Sequence, residues 1–311
     1  MAAFAKIVLA EKFGGPEVLQ LVERQLQAPG PGKVAVRVRA VGVNPIDLKI
    51  LAGMLGRSPE LPWRPGFEAA GVVTEVGPDV TAWRPGDEVI VFRAAGTYAS
   101  ALVVPEEALT AKPASLSWEQ AAGLLLVGAT AVHALEATHV GTGDLVLAHG
   151  AAGSVGQVLV QLARRRGASV IGTASLRNQE LLRSLGATPV AYGDGLASRV
   201  REIGTPTVAI DLVGTQEALD VSLALLADRS RVLTIVNAPA FLAAGAVAIG
   251  GGPGADPGTA IRDAARSQLA SLAGAGQLSV RVAKTFPLDQ AADALRFVAE
   301  GHANGKVVLL P

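Results

Sequence analysis

The chain changes its hydrophobic rhythm along its length. Lys33 to Val43 alternates, with Val34, Val36 and Val38 interleaved with Ala35, Arg37 and Arg39, the period-two pattern of a half-buried strand. Ile7–Ala10, Gly71–Val76 and Glu88–Phe92 predict further short strands. Turn chemistry separates them at Ala28-Pro29-Gly30-Pro31-Gly32, Arg64-Pro65-Gly66 and Arg84-Pro85-Gly86-Asp87. Short strands between such turns predict a compact, barrel-like domain.

From Ser117 onward, strand-length apolar runs alternate with helical stretches. Ser117 and Gln120 have the spacing of a capping box before an apolar run. Leu145–His149, Ala168–Thr173, Thr207–Leu212 and Arg231–Val236 predict strands, while Ser154–Arg166, Asn178–Leu185 and Gln216–Ala227 predict helices. Arg164, Arg165 and Arg166 suit the negative end of a helix dipole, and Gly167 suits a left-handed cap. This alternation predicts a parallel sheet covered on both faces. Residues 250–258, rich in Gly and Pro, predict an exposed loop. The tail predicts a strand over Val280–Phe286, a helix over Leu288–Glu300 and a last strand over Lys306–Leu310, a pattern that fits an extension of either domain.

Composition narrows the classes. The 311 residues are 50% apolar and 17% charged, contain no cysteine, and balance 27 basic against 27 acidic residues. A chain of this length fits two domains of about 100–200 residues each. Disulfides, thiolate metal sites, iron–sulfur clusters and a cysteine nucleophile are excluded. Zero net charge gives no bulk attraction to nucleic acid or an anionic membrane. The stretches Glu119–Glu136 and Phe241–Ile249 fall short of the roughly 20 residues a spanning helix needs, and read as buried segments. Ile7–Ala10 is followed at once by Glu11 and Lys12, so no secretory leader is expected and the cytoplasm is the expected compartment.

The segment carrying chemistry is Leu145-Val146-Leu147-Ala148-His149-Gly150-Ala151-Ala152-Gly153-Ser154-Val155-Gly156. A strand, a glycine-rich turn and a helix in that order form the context in which such glycines bind a dinucleotide; a plain strand–helix turn is the alternative. Gly153 lets backbone approach a pyrophosphate, and Gly156 lets the helix pack on the strand. The amides of Ser154, Val155 and Gly156 offer partial positive charge at a helix start. Ala151 stands where the first glycine usually does. NAD binders commonly place an acid about 20 residues beyond the loop. Here no acid appears before Glu180; Ser175 can hydrogen-bond a 2′-phosphate and Arg177 can pair with its charge. This favours NADPH, the alternative being a solvated Arg177.

Several further stretches match a known family in order. They are Val41-Gly42-Val43-Asn44-Pro45-Ile46-Asp47, Pro65-Gly66-Phe67-Glu68-Ala69-Ala70-Gly71, Pro85-Gly86-Asp87-Glu88-Val89, Gly128-Ala129-Thr130-Ala131, His149–Gly156 and Gly305-Lys306-Val307-Val308-Leu309. The chain resembles the zinc-free, zeta-crystallin-like quinone oxidoreductases of the medium-chain dehydrogenase/reductase superfamily. The resemblance implies an α/β protein: a GroES-like, partly open β-barrel catalytic domain over 1–122 and 278–311, and a Rossmann NADPH-binding domain with a doubly wound parallel sheet over 123–277. It implies hydride transfer to a quinone or α,β-unsaturated ketone. A biosynthetic enoyl-thioester reductase and a non-enzymatic NADPH-binding or nucleic-acid-binding protein are the alternatives. A small-molecule substrate and a homodimer are expected, with no nucleic-acid or membrane partner.

The resemblance also assigns residues. Zinc dehydrogenases of the superfamily carry a Cys at the position of Asn44 and a His at that of Phe67, so no metal site is expected, and His133, His139, His149 and His302 read as structural or surface groups. Asn44, Asp47 and Thr130 match residues of the catalytic region. Asn44 would orient cofactor or substrate, and Asp47 would chiefly fix its loop. Asn44, Thr130, Ala151, Gly153, Ser154, Val155, Gly156, Ser175, Arg177, Tyr192, Leu212, Val213, Gly214 and Ile235 match cofactor-binding positions, although Thr130 and Tyr192 also fit ordinary packing. Lys49 could donate to a substrate oxygen, but reads as an exposed lysine. Gly53-Met54-Leu55-Gly56 stands where many relatives place a Tyr, which predicts a more apolar pocket wall.

Overall fold

The alternating stretch Lys33–Val43 is the longest strand in the computed structural model, which describes residues 4–55, 59–301 and 303–311. His302 and Gly56 lie outside the described residues. In chain order the first elements are β1 (Phe4–Ala10), β2 (Leu19–Gln25), β3 (Lys33–Val43), α1 (Pro45–Leu51), β4 (Glu68–Val76), β5 (Glu88–Phe92), β6 (Ala101–Pro105), β7 (Leu109–Ala111) and α2 (Trp118–Ala122). Then come α3 (Leu125–Ala137), β8 (Leu145–His149), α4 (Ser154–Arg165), β9 (Ser169–Thr173), α5 (Gln179–Ser184), β10 (Thr188–Val190), α6 (Leu196–Ile203), β11 (Val208–Asp211), α7 (Gln216–Leu225), β12 (Val232–Thr234), α8 (Ala238–Ala243) and β13 (Val247–Ala248). The last are α9 (Thr259–Gly274), β14 (Val282–Pro287), α10 (Ala291–Ala299) and β15 (Lys306–Leu310).

The chain forms two units, one of residues up to Leu126 with Arg266–Pro311 and one of Val127–Ala265. The second boundary falls inside α9, earlier than the expected break after residue 277. The second half of α9 is held by the first unit: Ser115 Oγ donates to Gly274 O at 2.8 Å, and the Arg266 guanidinium donates to Glu107 O.

In the first unit the strand order is β14-β15-β3-β4-β5-β7, with β6 also paired to β3. Val34, Val36, Val38, Val89, Val91, Leu102 and Leu309 build its core. β1 and β2 form a separate antiparallel ribbon. The tail joins this unit, because β15 pairs antiparallel with β3, Val307 opposite Val43. Periodicity missed α1, a seven-residue helix entered through Pro45 at its first position.

The second unit carries a six-stranded parallel sheet of order β10-β9-β8-β11-β12-β13. Starting beside β8 the order runs outward both ways, the doubly wound arrangement that binds dinucleotides where strand order reverses. Leu147, Ile171, Val200, Ala209, Val232 and Phe241 fill the core beneath it. The outer strand β10 and helix α6 were not legible as separate elements in the sequence.

The inner strand β8 ends in a buried histidine. Ser222 Oγ donates to Ala218 O at 2.6 Å, so it accepts from Nε2–H of His149 at 3.1 Å. Burial pushes the imidazole down from 6.5 to about 4, so it is neutral in the fold. Its folded pKa lies below its unfolded one. The stability it contributes is therefore complete above pH 6.5 and is lost as pH falls towards 4. Urea unfolding should show His149→Gln losing less stability than the parent between pH 7 and pH 4, by about 3 kcal/mol. Parallel losses in the two proteins would show that His149 is not the titrating group.

Candidate active site

Loops that follow parallel strands gather at the carboxyl edge of the sheet, and the second unit concentrates the expected cofactor residues there. Gly150–Gly153 follow β8, Ser175 and Arg177 follow β9, and Tyr192 follows β10. Leu212, Val213 and Gly214 follow β11, and Ile235 follows β12. The strands end in step, with Asp211 opposite both His149 and Thr234.

The turn after β8 is tied by its neighbours. Gly150 N donates to Thr173 Oγ1 at 3.0 Å, Ala151 N to Thr173 O at 3.1 Å, and Gln157 Nε2 to Ala152 O at 2.7 Å. Gly153 caps α4 without a side chain, leaving the amides of Ser154, Val155 and Gly156 at the helix start. A Cβ on Gly153 would meet only Gly150 O, at 3.4 Å, so the space beside it is open. A Cβ on Gly156 would stand 2.6 Å from Ala151 Cα, so this glycine serves close packing of helix on turn. Open backbone beside helix-start amides fits a pyrophosphate.

Ser175 is half-buried and accepts from Asn178 Nδ2 at 3.1 Å, which leaves its hydroxyl proton free to donate. Arg177 is exposed and makes no hydrogen bond or ion pair among the described residues. Tyr192 is 58% exposed on a turn clamped by Arg199, whose Nη2 donates to Ala191 O and Gly193 O, each at 2.9 Å. Three details escaped the sequence reading. Leu176 is 78% exposed at this edge. Thr173 props the turn after β8. Asp211 is buried, which raises its carboxyl, and its oxygens accept Val213 N, Gly214 N and the Thr234 hydroxyl, shaping the 212–214 turn. Thr130 is buried in α3 of the same unit.

The first unit holds a second polar centre. β3 ends at Val43, and Asn44 caps α1. Asp47 Oδ2 accepts Asn44 N at 2.9 Å and the Tyr98 hydroxyl at 3.0 Å. Burial pushes Asp47 up to about 7, against the lowering effect of these two hydrogen bonds. Burial, and then the Asp47 charge, raises the Tyr98 phenol. Asn44 Nδ2 donates to Glu68 Oε1 at 3.0 Å and Gly42 O at 3.3 Å, while its Oδ1 accepts Lys306 Nζ at 2.6 Å. Glu68 Oε2 accepts Leu126 N at 2.9 Å. Asn44 is thus anchored by the chain itself, with one carbonyl lone pair to spare.

Sequence reasoning singled out Asn44 and Asp47 but not their partners Tyr98 and Lys306; a lysine at the head of an apolar strand was the available signal. Lys49 is half-buried rather than exposed, and desolvation lowers its pKa. Met54 is 69% exposed. His133 is buried, its Nε2 3.2 Å from Asp256 Oδ2, and its Nδ1 accepts Arg262 Nε. No group of three or more His, Cys, Asp or Glu among the described residues could hold a metal ion, and no described helix is long and apolar enough to cross a membrane.

A unit of this barrel-like topology and a doubly wound sheet with an open glycine turn after its inner strand are the parts of a nicotinamide-dependent oxidoreductase. Comparison with known proteins agrees. Residues 30–114 match the alcohol dehydrogenase GroES-like domain, and residues 185–309 match the zinc-binding dehydrogenase family. The 2-haloacrylate reductase of a Burkholderia species is 35% identical, covering 96% of this chain and 97% of its own. The quinone oxidoreductase of Pseudomonas syringae pv. Tomato DC3000 superposes with a TM-score of 0.87 at 33% identity, covering 99% of this chain and all (100%) of its own. The Escherichia coli quinone oxidoreductase, solved with NADPH, gives 0.86 at 30% identity over 98% and 100%. The chain belongs to the quinone oxidoreductase family of the medium-chain dehydrogenase/reductase superfamily.

Proposed function

We propose that the protein is an NADPH-dependent reductase of quinones or small α,β-unsaturated carbonyl compounds and works without zinc. The observation that carries this reading is an open turn with helix-start amides in the second unit, together with a buried centre in the first where Asn44 stands at a zinc dehydrogenase's Cys position and is held by Glu68 and Lys306. When bound, the cofactor supplies a hydride. The chain binds its pyrophosphate with the amides of Ser154, Val155 and Gly156, and its 2′-phosphate with Ser175 and Arg177, under Tyr192. Leu212, Val213, Gly214 and Ile235 border the same edge, and Thr130 belongs to the nicotinamide side. Asn44 orients the reacting groups, held by its own partners, and Asp47 keeps the start of α1 in place.

Without a Lewis acid, a simple ketone or alcohol lacks its main activator. A conjugated acceptor needs less help. Hydride adds at the carbon β to the carbonyl, the π electrons move to the carbonyl oxygen, and water returns a proton to the enolate. A quinone ends as the hydroquinone by the same balance. The relative named for 2-haloacrylate and the neighbours named for quinones act on such conjugated compounds.

The test is cofactor oxidation with a quinone, a small enone and an enoyl thioester in parallel. Turnover of the quinone or the enone, with no tightly bound zinc by metal analysis, is expected. Normal NADPH binding with no turnover of any acceptor would replace this reading with a binding protein, and one tight zinc per chain would end the metal-free mechanism. For the 2′-phosphate, Arg177→Ala should weaken NADPH by about 10–100-fold, as loss of a charge-assisted bond does, and leave NADH nearly unchanged. Equal losses for both cofactors would remove Arg177 from the 2′-phosphate.

A further inference from the structure

Nothing in a core strand calls for a lysine, yet β15 begins with one that is almost wholly enclosed. Lys306 Nζ has three N–H donors and meets three oxygens: Asn44 Oδ1 at 2.6 Å, Glu68 Oε1 at 2.7 Å and Val43 O at 3.3 Å. The side chains of Lys306 and Glu68 are 1% and 0% exposed. Neighbouring glycines make room for both. A Cβ on Gly123 would stand 2.9 Å from Lys306 Cγ, and a Cβ on Gly42 would run into the Glu68 carboxylate and Ala122 O. A buried ion pair is often no more stabilising than apolar residues of the same volume. The pair therefore calls for a role beyond stability, and its geometry supplies one. Every oxygen around Nζ comes from the segment Val43–Asn44 or from the carboxylate that also holds the Asn44 amide. The spacings of 2.6–3.3 Å suit an ammonium and exceed much of the range of about 2.0–2.6 Å at which Mg2+ and Ca2+ take oxygen ligands.

We propose that Lys306 is a positioning residue whose ammonium is a tethered internal cation. It fills an oxygen cage made by Val43, Asn44 and Glu68, and fixes the Asn44 amide for catalysis. Emptied of its lysine, the cage is a binding site for a small primary ammonium ion. The catalytic half rests on the placement of Asn44 at the reacting centre proposed above; the cage does not.

Lys306→Ala removes the three methylenes beyond Cβ and the ammonium, a volume that n-propylammonium refills. Purified in that amine, Lys306→Ala should fold. The amine should raise its melting temperature and restore kcat by at least about tenfold with little change in cofactor KM, the split expected when geometry rather than binding is recovered. n-Propanol and tetramethylammonium should do neither, and the parent should respond to none. The cage is overturned if propylammonium does no more than propanol, or if the variant stays unfolded in it. The positioning role is overturned if Lys306→Ala turns over like the parent without amine. The neutral pair Glu68→Gln with Lys306→Met offers a well-packed check: it should fold and bind cofactor but lose kcat, and parental kcat would overturn the role. A parent that reduces no acceptor fails the functional reading alone, because the melting measurement still reports on the cage.

Discussion

Glu68→Ala should destabilise the first unit by about 3–5 kcal/mol, the cost of leaving a buried charge without its partner. The carboxylate holds three donors at once: Lys306 Nζ and Asn44 Nδ2 on Oε1, and Leu126 N on Oε2. With the carboxylate gone, the ammonium of a lysine whose side chain is 1% exposed keeps Asn44 Oδ1 and Val43 O, and the Glu68 oxygen that accepts Leu126 N is lost. Val43 and Val307, paired across β3 and β15 beside Lys306, are buried, so the ammonium stays in apolar surroundings. The double change Glu68→Leu with Lys306→Met removes both charges and should recover most of the loss, because apolar replacements of similar volume avoid the desolvation penalty altogether. Denaturant unfolding of the two variants measures this. A loss under about 1 kcal/mol for the single change would give the pair only the weight of a surface salt bridge, contrary to its enclosure.

Gly153→Val should weaken cofactor binding by about 10–100-fold and leave folding untouched. The backbone of Gly153, with φ −70° and ψ 169°, suits any residue. A side chain begins in open space, with Gly150 O at 3.4 Å as its one near contact. The same open space is where a pyrophosphate would approach the amides of Ser154, Val155 and Gly156. Overfilling a fitted site costs about 1–3 kcal/mol, and each 1.4 kcal/mol is about tenfold in affinity. Gly156→Val is the contrast. Its Cβ would lie 2.6 Å from Ala151 Cα and 2.7 Å from Ala151 C, both backbone atoms, so helix and turn must part and stability falls together with binding. Titration of cofactor fluorescence, paired with melting curves, separates the two. Full affinity in Gly153→Val would move the cofactor away from this turn.

The second unit was the more legible part in sequence, for a physical reason. Strand–turn–helix repeats write themselves in short apolar runs and glycines, and Leu145–Gly156 carries turn, cap and helix in one continuous stretch. The expected cofactor positions gather along one edge by that register, because carboxyl ends of parallel strands share it. Leu176 and Asp211 escaped because one is an exposed apolar residue without a pattern and the other acts by shaping a backbone turn. The first unit was less legible. Its polar centre joins Asn44, Glu68, Tyr98 and Lys306, whose partners are 24, 51, 238 and 262 positions apart, and no local period reports such contacts. Tyr98 and Lys306 sit in apolar surroundings, where the sequence reads as core. Helix α1 was hidden by its short length, and the boundary inside α9 by the continuity of that helix.

The central claim is that hydride reaches a conjugated carbon without a metal. The most direct measurement uses NADPH carrying deuterium at the transferred C4 position, 2-cyclohexenone as acceptor, and protein freed of metal by chelation, with the label located in the product by NMR. One deuterium per turnover at the carbon β to the carbonyl, in a saturated ketone, is the expected result. Deuterium on the carbonyl carbon of an allylic alcohol, or turnover that vanishes on chelation and returns with zinc, would contradict it.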